Sequence, residues 1–202
     1  NNIISYNIDN QQYYSAPLGN YSDNIKINFY KILIKKKYIE NISSLINQLK
    51  INIENYIPSP LSSSISSLTQ DEKELGTICI DLGHSTSSIS VFENNKFVFA
   101  DAIGIGSNNV TLDIARGVST DITSAERLKT LYGSLISSPS DDHEIIEIPI
   151  ISDDKNTFKQ ITRSSLNSII IPRIEETLEM LWQKLKDNKY SNKKINNVVI
   201  TG

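Results

Sequence analysis

The densest chemistry in this 202-residue sequence lies in six consecutive residues, Asp81-Leu82-Gly83-His84-Ser85-Thr86. They follow Thr77-Ile78-Cys79-Ile80, a mostly apolar run that reads as a buried central strand. A tight turn leaving a strand can aim successive backbone N–H groups at phosphate oxygens, and a glycine in it lets the anion approach closely. A carboxylate at the strand end can hold Mg2+ through water or orient an attacking water. Elsewhere the reactive residue types are sparse. His84 and His143 stand far apart with no ligand spacing around them, which speaks against a metal centre. Two histidines and one cysteine among serine-rich stretches offer no nucleophilic triad. Cys79, inside the apolar run, reads as an inert buried thiol. Asp141-Asp142 and Asp153-Asp154 read as solvated loop acids. By spacing alone, Glu126 completes a capping box with Thr123, and Lys129 is a helix-surface lysine.

The elements that must carry these residues follow from hydrophobic periodicity. Residues 1–37 read as strands, with Asn28–Ile34 the most β-prone. Residues 39–50 switch to a helical period through Ile39, Ile42, Ile46 and Leu49, and a short strand follows at Ile51–Ile53; this helix is expected to cover the first sheet. Leu61, Ile65 and Leu68 fit a short helix with a serine face, and Thr69–Glu74 reads as an exposed polar stretch before a boundary near Gly76. Three consecutive antiparallel strands come next, at 77–81, 88–92 and 97–103, with Asn94-Asn95 in the second turn. Helices are predicted over Val110–Val118 and from Thr123 to a glycine stop at Gly133, then a strand over Glu144–Ile151 and a loop over Ser152–Asn156. A long amphipathic helix spans Ser164–Asp187, kinked or divided at Pro172, with Met180 and Trp182 in its core stripe. A strand at Asn197–Thr201 closes the sequence.

Composition narrows the class. Apolar residues make up 39% and charged residues 21%, as in a globular domain, and the net charge of −3 with no basic tract beyond Lys35-Lys36-Lys37 speaks against a nucleic-acid surface. No apolar run approaches a membrane span, and a single cysteine fits a reducing compartment. About one residue in six is isoleucine and one in ten asparagine, a bias that A/T-rich codons would produce. The sequence starts without methionine and stops at a strand running into Gly202, which reads as a fragment.

Several segments in order carry a family resemblance. Thr69–Gly83 resembles the acidic approach and second phosphate motif of the FtsA family of bacterial cell-division proteins, within the actin/Hsp70-type ATPase superfamily. Ile105-Gly106-Ser107-Asn108-Asn109-Val110-Thr111-Leu112-Asp113-Ile114-Ala115 resembles its Val-Gly-Gly-Asn-x-Val-Thr-x-Asp-Ile-Ala stretch. Ala125–Lys129 through Tyr132-Gly133 resembles its Ala-Glu-x-Ile-Lys…Tyr-Gly helix, and Val199–Gly202 the start of its adenosine motif. The resemblance implies an α/β, actin-like (ribonuclease H-like) ATPase fold, as a fragment covering subdomains 2A and 2B plus part of 1C and 1A. The implied order is 1–54 in subdomain 1C, 55–76 in 1A, 77–103 in 2A, 104–160 in 2B and 161–202 in 2A again.

The resemblance also implies a site. ATP with Mg2+ is the expected cofactor, bound through Asp81, Gly83, His84, Ser85, Thr86, Gly106, Asn108, Glu126, Lys129 and Gly202. Asp81 is the expected catalytic group and holds Mg2+ through water, Thr86 lies near the γ-phosphate, and Glu126 and Lys129 line the adenosine pocket. Two departures stand out: the family's Gly-Gly-Gly-Thr is Gly83-His84-Ser85-Thr86, and a carboxylate usual two residues later is Ser88. If positive φ is needed at His84 or Ser85, each costs about 1–2 kcal/mol. The expected activity is at most slow ATP hydrolysis, with none by this fragment alone. The implied function is an adaptor that self-assembles into actin-like filaments. It ties FtsZ, through its C-terminal tail on subdomain 2B, to the inner face of the cytoplasmic membrane at the division septum. Other divisome proteins would meet it through 1C, and the membrane through a C-terminal helix. Open alternatives are the actin-like component of type IV pilus assembly and a scaffold of this fold that binds no nucleotide.

Overall fold

A computed structural model describes residues 2–149, 158–188, 190, 195 and 197–202. Asp153-Asp154, the loop Ser152–Asn156 and the last two residues of the strand expected over Glu144–Ile151 lie outside the described residues. The chain divides into two compact units, the first of residues 1–81, 89–101 and 195–201, the second of 82–88, 102–194 and 202.

The first unit begins with β1 (Asn2–Ile8), β2 (Gln11–Tyr13) and β3 (Ile25–Tyr30), an antiparallel sheet of order β2-β1-β3. Asp9 and Asn10, at φ 46° and 67°, close the first hairpin, because their short polar side chains tolerate the left-handed region. β3 stops at Tyr30, four residues short of the expected end. The Tyr30 hydroxyl donates to the Ala100 carbonyl at 2.7 Å, and its ring packs edge-on against Phe97, 5.9 Å between centroids. The expected helical cover does not form, and β3 is exposed from Ile25 to Phe29. Helix α1 (Lys36–Gln48) forms but buries no residue, and Ile42, Leu45 and Leu49 are exposed. The strand expected at 51–53 is absent: residues 51–58 run without a ladder into Pro58 and Pro60.

Helix α2 (Ser59–Ser67) follows with Pro60 in its first turn, where a missing N–H costs nothing. The polar stretch after it is itself a helix, α3 (Gln70–Leu75), opened by a capping box in which Thr69 and Glu72 each satisfy the other's backbone N–H. Strands β4 (Thr77–Leu82), β5 (Ser87–Glu93), β6 (Lys96–Ile103) and β9 (Asn197–Thr201) form a sheet of order β6-β5-β4-β9. Asn94 and Asn95, at φ 51° and 59°, make the two-residue turn between β5 and β6. β9 lies parallel to β4, with Asp81 opposite Thr201. Leu68, Cys79, Phe92 and Phe97 form one buried cluster in this unit.

The second unit holds α4 (Ser107–Val118), α5 (Ile122–Tyr132), the antiparallel pair β7 (Ile145–Pro149) and β8 (Phe158–Thr162), and α6 (Arg163–Asp187). Its core joins Val110, Ile114 and Val118 of α4 to Ala125 and Leu128 of α5, Ile146 and Ile148 of β7, and Leu166 and Ile170 of α6. The sequence reading missed β8. α6 is one helix of 25 residues with Pro172 inside it, not two abutting ones. Met180 and Trp182 are not core: they are 40% and 44% exposed, since each sits about 100° around the helix from buried Leu181. α5 starts two residues earlier than its sequence suggests. Its N-cap is Asp121, whose carboxylate accepts from the Ser124 N–H at 2.9 Å, so Thr123 makes no capping box with Glu126. Gly133 is its C-cap at φ −64°, so the helix ends there without a left-handed residue.

Candidate functional site

The turn after β4 and the start of α4 are built as one piece. The Ser107 N–H donates to the Gly83 carbonyl and the Asn108 N–H to the His84 carbonyl, both at 2.9 Å. These are two of the orphan donors every helix start must satisfy. Gly106, the N-cap, makes the fit possible: a Cβ there would lie 2.5 Å from both the Gly83 and His84 carbonyl oxygens. Its own N–H donates to Asn109 Oδ1 at 3.0 Å. Within the turn, the Gly83 N–H donates to the Thr86 carbonyl at 3.1 Å.

With both carbonyls committed to α4, the turn's amides are left over. Among the described residues, the backbone N–H groups of His84, Ser85 and Thr86 donate to no protein acceptor, and all three residues are exposed. Successive unpaired amides beside a tight turn are what an anion requires. His84 and Ser85 both keep negative φ, so the substitution of glycines in this turn carries no backbone strain.

A polar cluster continues from the same helix start. Lys129 of α5 donates through Nζ to the Ser107 carbonyl at 3.3 Å, Thr111 Oγ1 at 2.9 Å and Glu126 Oε2 at 2.7 Å. Thr111, fully buried, also donates to Glu126 Oε2 at 2.5 Å. Lys129 is therefore no surface lysine; its side chain is 17% exposed and its three protons are all placed. The bonds from Lys129, then Thr111, hold the Glu126 carboxyl below its ordinary range. Glu126 Oε1 keeps an open lone-pair side among the described residues. Gly202, at φ 147°, packs against the Leu82 backbone so closely that a Cβ would overlap its carbonyl.

Asp81 belongs to the first unit. It is half-buried at the end of β4, and its Oδ2 accepts from Ser63 Oγ of α2 at 2.5 Å. Nearby, Ser64 Oγ bonds Ser90 Oγ of β5 at 2.5 Å. Ser88, in the place of the family's carboxylate, is buried in β5. Burial pushes the Cys79 thiol up, consistent with an unreactive sulfur.

The second unit thus brings Gly83, His84, Gly106, Asn108, Glu126 and Lys129 into one hydrogen-bonded chain. The sequence reading passed over Thr111 and Ser63: the first looks like any helical threonine, the second is one of six serines in a nine-residue helix. No group of three metal-ligating side chains occurs among the described residues. A half-buried carboxylate with one oxygen occupied by Ser63 and one open fits a cation held through water.

A family model described as "Cell division protein FtsA" matches residues 78–199. The protein of that name from Agrobacterium fabrum is 34% identical over 198 residues, 98% of this chain and 45% of its own length. The Helicobacter pylori (strain J99) protein is 26% identical over 98% of the chain, and the Bacillus subtilis protein 32% over 75%. The chain spans less than half the length of these relatives. Among solved structures, MreB5 of Spiroplasma citri bound to ADP superposes with a TM-score of 0.69 at 14% identity, covering 83% of this chain and 54% of that one. A second MreB5 structure, bound to AMPPNP, gives 0.67 at 13%. These two similarities establish the actin-like fold.

Proposed function

Because the chain belongs to the FtsA family of cell-division proteins, we propose that it serves as an ATP-binding, actin-like division adaptor that ties FtsZ to the cytoplasmic membrane and assembles into filaments. One observation carries the nucleotide part. The turn after β4 turns its carbonyls to α4 and leaves three successive amides, at His84, Ser85 and Thr86, for phosphate oxygens. In this reading Glu126 accepts from the nucleoside, Lys129 and Thr111 hold that carboxylate, and Gly202 gives close access to the backbone beside Leu82. Mg2+, when bound, neutralises phosphate charge, and Asp81 is the residue that would meet it through water. The absence of strain at His84 and Ser85 favours a working cradle over a degenerate scaffold. Hydrolysis is expected to be slow, since Ser88 supplies no carboxylate.

Residues 77–103 and 161–202 are assigned to subdomain 2A, 104–160 to 2B, and 1–54 and 55–76 to 1C and 1A. The FtsZ tail is assigned to 2B and other divisome proteins to 1C. Two titrations test this reading. Labelled ATP should bind the full-length protein saturably, and the same organism's labelled FtsZ C-terminal peptide should bind it and lose binding when 104–160 is deleted. ATP binding without peptide binding would favour the pilus-type relative; peptide binding without ATP would favour a nucleotide-free scaffold.

A further inference from the structure

We propose that Ser63, on the serine face of α2, is the positioning residue that sets the orientation of Asp81. The serines of this helix divide by what they bond. Ser62, Ser64 and Ser66 turn their hydroxyls to carbonyls of their own helix or its N-cap, at Pro58, Pro60 and Ser63. Such back-bonds are what serine does in any helix. Ser63 differs: its hydroxyl reaches off the helix to Asp81 Oδ2, a bond of 2.5 Å in the range of a hydroxyl on a charged carboxylate. Ser64 bonds Ser90 as well, a contact that packs α2 on β5 and does not touch Asp81. The consequence for Asp81 is asymmetry. Oδ2 is occupied and the carboxylate cannot spin about its own axis, while Oδ1 has no partner among the described residues. One fixed, open oxygen is the form in which a single carboxylate can orient a cation-bound water, because a freely turning one must lose rotational freedom at the moment of binding.

This inference rests on the nucleotide reading above, and its test separates the two. ATP binding to the intact protein is measured by calorimetry with Mg2+ and with EDTA, for wild type and for S63A, S63T and S64A. Thermal unfolding is followed alongside. Wild type should bind more tightly with Mg2+. S63A should match it in EDTA within about twofold and lose at least about threefold of the gain from Mg2+. S63T, which keeps the hydroxyl, should restore the gain. S64A should lower the melting temperature yet keep the gain, because Ser64 acts on packing alone. A wild-type response in S63A, or an equal loss in S64A, overturns the role of Ser63 and leaves ATP binding standing. A wild-type protein that binds no ATP overturns both.

Discussion

At the scale of single residues, the contact between Gly106 and the turn is steric before it is chemical. A Cβ 2.5 Å from two backbone carbonyl oxygens cannot be relieved by a side-chain rotation, so the turn or the helix start must move. G106A is expected to cost at least about 2 kcal/mol, a melting-temperature drop of about 4–8 °C by calorimetry. His84 gives the opposite case. It already sits at negative φ, so restoring the family's glycine relieves nothing and adds freedom to the unfolded chain. H84G is expected to destabilise by about 0.4–1 kcal/mol in urea titrations, whereas a gain in stability would show the turn to be strained after all.

At the scale of elements, strands were legible where β-branched and aromatic residues run together between turn residues, buried in β5 and exposed in β9 alike. The succession β4-β5-β6, the Asn94-Asn95 turn and the α6 stripe through Leu166, Leu181 and Leu185 follow from pattern, whereas the parallel pairing of β9 with β4 does not. Legibility failed where tertiary contacts outweigh local ones. The start of α5 is the clearest instance, because Thr123 and Glu126 have capping-box spacing but Glu126 bonds Thr111 of α4 and Lys129 one turn along α5. D121A should therefore cost about 1 kcal/mol and T123A less than about 0.5. Equal effects would return the cap to Thr123. The same limit hid Ser63, whose partner is 18 residues away and on another element. Between α4 and α6, Asp113 and Arg173 form an ion pair at 2.5 Å with both side chains about three-quarters buried. A double-mutant cycle on D113N and R173M is expected to give a coupling of about 1 kcal/mol, at the top of the range for exposed pairs.

At the scale of the whole molecule, each unit carries its own reporter. Cys79 lies in the first, 2% exposed, with burial raising its thiol. Its reaction with a thiol reagent at neutral pH should run at less than about a hundredth of the unfolded-chain rate, and should rise with denaturant as that unit opens. Glu126 reports on the second. Its carboxyl is held below the ordinary 4.5 by Lys129 and Thr111, so the stabilisation it brings is complete above that value and is lost as pH falls through the depressed one. Urea titrations from roughly pH 6 to 3 should show that acid limb, flattened in E126Q. The two hydrogen bonds between the turn and α4 have a mechanical meaning as well. The Gly83 and His84 carbonyls are tied to the first two amides of a rigid 12-residue rod. Anything that tugs the turn outward must either snap both tethers or swing the rod, so a four-residue turn doubles as a lever on one of the unit's helices.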